Sequence, residues 1–270
     1  VDAGLGLAAR IGYPVMIKAA AGGGGRGIRV VADAEEFARQ FPQASAEALA
    51  AFGDGGLYVE KMIARARHVE VQVLGDGQRW IHCFERECSL QRRRQKVWEE
   101  APALCLDAEV RAAMCTAAVK LAAQVKYRGA GTVEFLYDEA SGEFYFIEVN
   151  TRIQVEHPVT EMITGLDLVA EMIRVAGGER LSIEQDDVEI RGHAIECRIN
   201  AENPAKNFLP QPGTVSALQV PVADDVRFDT MLFEGYKVPP FYDSLLGKLI
   251  VHADSRAACL ACLREVLTSL

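Results

Sequence analysis

Five polar residues at a strict spacing of two, Glu148, Asn150, Arg152, Gln154 and Glu156, carry the densest chemistry in the chain. They follow an aromatic and β-branched run, with Phe144, Phe146, Ile147 and Val149, that reads as a strand. On extended backbone, residues two apart point the same way. Two carboxylates, an amide and a guanidinium would then share one face of the strand or its extension. A buried sheet face tolerates that only with a partner such as a cation, a phosphate or an anionic substrate. The plainer alternative is the solvated face of an edge strand. Apolar flanks and His157-Pro158 directly afterwards stand against it.

Other charged residues fall where they could join this set. Glu134 lies in the strand-like stretch 132–137, and residues 138–142 turn the chain back towards Glu148. If the two stretches pair as a hairpin, Glu134 and Glu148 become cross-strand neighbours, and like charges directly opposite destabilise a sheet. That arrangement asks for a cation. Oxygen ligands, with Asn150 two residues on, suit Mg²⁺ held together with substrate phosphates. Residues 91–96, QRRRQK, form the strongest basic cluster, either a solvated loop or, as their context favours, an anion clamp.

Lys18 is the one charge in the apolar strand 14–20, and the glycine run 22–27 joins that strand to a second, 28–31. A Walker loop and a Rossmann turn both open a helix, and the former carries Lys-Ser/Thr. Here glycines join strand to strand. Such a segment reads as a hairpin flap able to bring backbone N–H groups onto phosphates, although four glycines also make an ordinary flexible turn. Glu60 and Lys61 at a strand end, and His68 at a strand start, sit where a cleft edge would be. A satisfied or exposed histidine fits His68 equally well.

The remaining elements supply the frame. A helix over 1–10 stops at Gly12-Tyr13-Pro14, and Asp33 caps a second over 34–51. Strands follow at 57–62, 68–74 and 78–84, Asp107 opens a helix to about residue 126, and 164–167 resembles a capping box for a helix ending at Gly177-Gly178. The polar, acidic stretch 181–189 reads as a domain boundary. Beyond it, strands at 192–200, 213–220, 226–233 and 246–251 and a final helix from Asp254-Ser255 suggest a mostly β unit. The class is α+β, with domains at 1–185 and 186–270.

With 270 residues, half of them apolar, the chain can bury a real core. A net charge of −9 argues against a nucleic-acid surface, so local basic clusters read as sites for small anions. No apolar run reaches membrane-spanning length, and VDAGLGLAAR is neither a signal nor a transit peptide. The missing initiator Met suggests a piece of a longer chain. Seven cysteines at irregular spacing favour free thiols in a reducing compartment. The lone CxxC, Cys259 and Cys262, lies in an apolar helical stretch without a second pair, which argues against zinc.

Taken together, KAAAGGGGRG, HVEVQVL, ERECSLQRRRQKVWEEAP, RGAGTVEF, FYFIEVNTRIQVEHPVTEMITG, RGHAIECRINAEN and VPPFYDSLLGKLIV resemble biotin carboxylase, an ATP-grasp ligase, from the first residue to the last. The resemblance implies an ATP-grasp domain with its flap at 19–31, followed by a biotin carboxylase C-terminal domain cut short at its end. It implies that a further N-terminal domain belongs to the complete protein. The implied activity is carboxylation of biotin on a carrier protein, using bicarbonate and ATP through carboxyphosphate. That is the first half-reaction of an acetyl-CoA, other acyl-CoA, pyruvate or urea carboxylase, as in fatty acid biosynthesis.

By the same resemblance, Lys18 and Gly22, Gly23, Gly24 and Gly25 hold ATP phosphates, and Glu60 and Lys61 meet the adenine edge. His68 and Gln91 bind nearby nucleotide groups, and Leu136 packs on the adenine. Glu134, Glu148 and Asn150 match the Mg²⁺ or Mn²⁺ positions, the two glutamates also facing ATP. Lys96, Arg152, Gln154 and Val155 match the bicarbonate pocket, Glu156 the base that deprotonates bicarbonate, and Arg198 an arginine that steadies carboxyphosphate or the biotin enolate. Arg94 stands where His or Asn is expected. Implied partners are a biotin carboxyl carrier protein or domain, a carboxyltransferase and, in the full-length protein, a second copy, with no nucleic acid and no membrane. The implied location is cytoplasmic, or mitochondrial in a eukaryote. The rivals are another carboxyphosphate-forming ligase, such as carbamoyl phosphate synthetase, and a catalytically silent assembly module.

Overall fold

The computed structural model describes residues 2–22, 27–219 and 223–269. It divides into two compact units, Val1–Arg65 and Ala66–Leu270. In the first, α1 (Asp2–Ile11) and α2 (Ala34–Phe52) accompany an antiparallel three-stranded sheet of β1 (Val15–Ala19), β2 (Ile28–Val31) and β3 (Leu57–Lys61), in the order β2-β1-β3. Val15, Ile17 and Val31 bury one sheet face against Ala8, Phe37 and Ala44 of the helices. Asp33 caps α2 as expected, its Oδ1 accepting from Glu36 N at 2.8 Å.

The second unit is built on one eight-stranded antiparallel sheet. Its strands are β4 (Ala66–Asp76), β5 (Trp80–Arg92), β6 (Gln95–Ala101), β7 (Arg128–Asp138), β8 (Glu143–Asn150), β9 (His193–Asn200), β12 (Val226–Thr230) and β13 (Leu245–Ala253). The order is β12-β13-β9-β6-β5-β4-β7-β8, and the short β10 (Glu202–Asn203) and β11 (Leu209–Pro210) pair separately. This mixture of helices and antiparallel sheet is the α+β class read from the sequence. Among the described residues no helix is long and apolar enough to cross a membrane, and the seven cysteines are free thiols.

Strand alternation decides what each sheet face carries. Val69, Val71 and Val73 of β4 pack beneath α3 (Ala108–Gln124), and Ile195, Leu249 and Val251 beneath α6 (Arg256–Ser269). The opposite face takes Leu74 and Ile81 under α5 (Leu168–Ala176), and Ala101, Ala194 and Ile250 under α4 (His157–Thr164). The residues that alternate with the valines of β4 are Glu70 and Gln72, both fully buried. A buried polar face between α4 and α5 is therefore built into the strand's own sequence.

Several sequence expectations change here. The extended run ends at Asn150 rather than continuing to Glu156. Residues 151–156 turn, Glu156 sits at the N-cap of α4, and Pro158 takes an early helical position where its missing N–H costs nothing. The capping box at 164–167 resolves into two signals: Thr164 ends α4, and Asp167 alone caps α5, accepting from Ala170 N at 2.8 Å. Residues 213–219 form no strand beyond a single bridge from Thr214 to Lys237. The strand expected over 226–233 stops at Thr230.

Gly192 turns the chain into β9 with φ +68°, and a Cβ there would lie 2.4 Å from the Ala253 carbonyl oxygen. Gly192→Ala is expected to lower stability by at least about 1–2 kcal/mol, from the left-handed backbone alone. Urea unfolding of the two proteins measures it.

Candidate active site

The polar face of the large sheet converges on the Lys96 ammonium. Lys96 Nζ donates to Glu70 Oε2 at 2.5 Å, Glu156 Oε1 at 2.7 Å and Glu134 Oε1 at 3.1 Å. Burial favours the neutral amine, but the carboxylates, Glu70 foremost, raise its pKa well above the ordinary lysine range. Glu156 makes no capping bond to α4, so both its oxygens serve the site: Oε2 accepts from Arg198 Nη2 at 2.9 Å. One carboxylate is thus shared by two cations that come from strands β6 and β9.

Glu134 is the second hub. Its Oε1 also accepts from Asn150 Nδ2 at 2.8 Å and Gln154 Nε2 at 3.0 Å, and its Oε2 lies 3.0 Å from His68 Nε2. Gln91 Nε2 meets His68 Nδ1 at 3.2 Å. Glu134 and Glu148 face each other directly in the β7–β8 register, as the hairpin reading required. Glu134 is buried, whereas Glu148 is exposed. Two opposed carboxylates are hard-oxygen donors of the kind a divalent cation takes, while Asn150 presents its amide nitrogen, not its oxygen, to Glu134.

The sequence reading missed the layer behind these residues. Arg86 is fully buried and donates from Nε to Glu70 Oε1 at 2.7 Å and from Nη1 to Gln72 and Thr160, both at 2.9 Å. Its Nη2 reaches Thr132 at 3.3 Å and Gln154 Oε1 at 3.2 Å. Glu70 is pushed up by burial, but Arg86 and then Lys96 outweigh that and hold its pKa down at about 2. The available signal was Glu-x-Gln between three valines, which puts polar side chains opposite an apolar face.

The basic cluster divides. Lys96 enters the carboxylate cluster. Arg92 pairs with Glu202 and lies 4.0 Å over the Phe208 ring, and Arg93 donates to the Asn207 carbonyl at 3.3 Å. Arg93 and Arg94 carry positive φ in the β5–β6 turn. The cluster as a whole is therefore not one anion clamp.

Arg152 is exposed, donating to its neighbour Ile153 O at 3.1 Å, while Gln154 is buried. The Val155 carbonyl accepts from Lys248 Nζ at 2.9 Å. Leu136 is half-buried, opposite His68 in the β4–β7 ladder. Lys18, Gly22, Glu60 and Lys61 belong to the Val1–Arg65 unit. There Lys18 pairs with Glu60, and Lys61 donates to Gly12 O at 2.7 Å. Gly23, Gly24 and Gly25 lie outside the described residues.

Four buried carboxylates make folding pH-dependent, one of them Glu134, raised by burial but lowered more strongly by His68 and Lys96 to about 2. Besides Glu70, Glu100 and Glu161 are raised by burial but lowered more strongly by their partners, His193 and Arg256 for the former and His157 and Arg227 for the latter, to about 2. Between the ordinary value of 4.5 and about 2, the unfolded chain binds protons that the folded chain does not. Stability contributed by these groups is therefore full above about 4.5 and is lost as pH falls through that window. Urea midpoints measured across a pH series should decline steadily below about 4.5.

Residues 1–184 match the family model described as the carbamoyl-phosphate synthase L chain ATP-binding domain, and residues 196–270 match the biotin carboxylase C-terminal domain. A biotin carboxylase of Nostoc sp. is 56% identical over 265 residues, covering 98% of this chain and 59% of its own. Biotin carboxylase 1 of Bacillus subtilis is 52% identical, with coverages of 99% and 60%. The chain thus spans about three-fifths of the length of the curated relatives it matches. Among solved structures, the biotin carboxylase domain dimer of the Hydrogenobacter thermophilus 2-oxoglutarate carboxylase, in complex with MgADP, ADP and bicarbonate, is 49% identical. It superposes with a TM-score of 0.90, covering 99% of this chain and 59% of that one. A Campylobacter jejuni biotin carboxylase in a β,γ-ATP complex is 47% identical, with a TM-score of 0.91 and the same coverages. The chain belongs to the ATP-grasp biotin carboxylase family.

Proposed function

We propose that this chain is the core of a biotin carboxylase, which uses ATP and bicarbonate to carboxylate biotin on a carrier through carboxyphosphate. The observation that carries the reading is the Glu156 carboxylate, held between Lys96 at 2.7 Å and Arg198 at 2.9 Å beside Glu134. Bicarbonate is a poor nucleophile, so a carboxylate must take its proton as the oxygen attacks the γ-phosphorus and the bond from that phosphorus to the departing ADP oxygen breaks. Glu156 is that base. Lys96 and Arg198 supply positive charge for the anion and for the carboxyphosphate that follows, with Arg152, Gln154 and Val155 lining its pocket.

Glu134, Glu148 and Asn150 would hold Mg²⁺ or Mn²⁺, which offsets charge on the transferring phosphoryl group when bound. His68, Gln91 and Leu136 take nucleotide groups, and within the N-terminal unit the residues proposed for ATP are Lys18, Gly22, Gly23, Gly24, Gly25, Glu60 and Lys61. The flap at 19–31 would shield carboxyphosphate from water. Residues 1–185 act as the ATP-grasp domain and 186–270 as the C-terminal domain, a division supported by family matches that run to 184 and resume at 196. The complete protein is a cytoplasmic homodimer serving a carrier protein and a carboxyltransferase. The deciding measurement is bicarbonate-dependent ATP hydrolysis by the full-length protein, with and without free biotin. Stimulation by biotin is expected, and its absence overturns the assignment.

A further inference from the structure

Behind Arg198 lies a pair of carboxylates to which the reaction as described gives no part. Glu99 on β6 and Glu196 on β9 are direct partners in the antiparallel ladder, so their side chains share one face. Both are fully buried. Glu99 Oε1 accepts from Arg198 Nε at 2.8 Å, but its Oε2 is buried without a hydrogen-bond partner, and so are both oxygens of Glu196. The groups facing Glu196 are Glu99 from β6, Lys248 from β13, Glu156 from the turn before α4, and Arg198 on its own strand. On α4 itself, His157 and Glu161 pair with each other, and Glu161 also pairs with Arg227. Neither nearby cation bonds to Glu196. Lys248 donates to the Val155 carbonyl at 2.9 Å and stands 3.5 Å from Asp229, while Arg198 is spent on Glu99 and Glu156.

A fully buried, unpaired carboxylate is among the costliest groups a fold can hold. One hydrogen atom bridging the two opposed carboxyl groups relieves Glu99 Oε2 and one of the two Glu196 oxygens at once. We propose that Glu99 and Glu196 hold a single proton between them, and that this pair fixes the aim and the effective charge of the Arg198 guanidinium. Both are then positioning residues for the bicarbonate and biotin end of the site, an inference that rests on the function proposed above. Burial pushes Glu196 well above the ordinary carboxylate range, with Glu99 adding to it. Burial likewise raises Glu99, to about 7, against the pull of Arg198. With one proton, Arg198 has a single negative charge behind it. Loss of that proton at high pH puts two charges there, draws the guanidinium back and cancels its charge for the substrate anion. A second proton at low pH neutralises Glu99 and releases Arg198 from its anchor.

The test uses the full-length protein with Glu196→Gln and Glu196→Leu. The amide of Gln donates permanently to the Glu99 oxygen. Glu196→Gln should therefore retain kcat/KM near neutral pH but lose the alkaline decline of the pH profile. Glu196→Leu leaves Glu99 unbridged and should lower kcat/KM roughly 10- to 100-fold, as displaced catalytic groups do. Independently of turnover, difference infrared spectra at neutral pH should show the carbonyl stretch of a protonated carboxylic acid, absent from Glu196→Gln. If that band is unchanged in Glu196→Gln, or the variant keeps the wild-type pH profile, the proposal fails. A band that behaves as expected in a protein that biotin does not stimulate overturns the assigned function and leaves the shared proton standing.

Discussion

Lys96→Met is expected to lower the stability of the protein by about 3–5 kcal/mol near neutral pH, the range for removing one partner from a buried ion cluster. The Lys96 side chain is only 12% exposed, and its ammonium touches Glu70, Glu134 and Glu156. Arg86 continues to compensate Glu70 and Arg198 one oxygen of Glu156, but Glu134 then keeps only neutral amides and His68. The loss carries its own signature. Three carboxylates left together take up protons more readily, so the variant should recover part of the deficit as pH falls from about 7 to about 5. Urea unfolding at both values checks this. A deficit equal at the two pH values would mean that lost packing, rather than uncompensated charge, is responsible.

Glu156→Gln is expected to lower bicarbonate-dependent turnover by about 10²- to 10⁴-fold, the usual worth of a positioned base. The amide is nearly the same shape, so the fold of α4 should be unaffected. It has one oxygen for two donors, Lys96 and Arg198, and turns an N–H₂ towards one of them. Binding of MgATP by the full-length protein, measured by calorimetry, should persist, because among the described residues none proposed for the nucleotide bonds directly to this carboxylate, whose partners are Lys96 and Arg198. Turnover equal to the wild type would remove Glu156 from the role of base.

The sequence was most legible where the signal is local. Asp33 and Asp107 cap the helices expected of them, accepting from Glu36 N and Val110 N. The turn over 138–142 returns the chain so that Glu148 meets Glu134. It misled where one periodicity has two causes. A spacing of two describes a strand face, but the same residue types also recur through the turn at 151–156, and only the backbone distinguishes them. Arg86 and Glu70 were passed over because their meaning lies in partners such as Thr160 and Lys96, far off in sequence. The same blindness applied to the arginines at 92 and 93. A run of positive charge looks like one site until the turn sends its members to different neighbours.

The pairing of β6 with β9 has a consequence for how this protein can be divided. Trp98, Glu99, Glu100 and Ala101 bond to Cys197, Glu196, Ile195 and Ala194 in the middle of the sheet. Severing the chain near residue 185 and producing the halves separately would expose two long, bare strand edges, one of them apolar beneath α6. Such halves should aggregate by edge-to-edge pairing when made alone and reconstitute only when made together. Complementation would have to occur during synthesis, before either open edge finds the wrong mate.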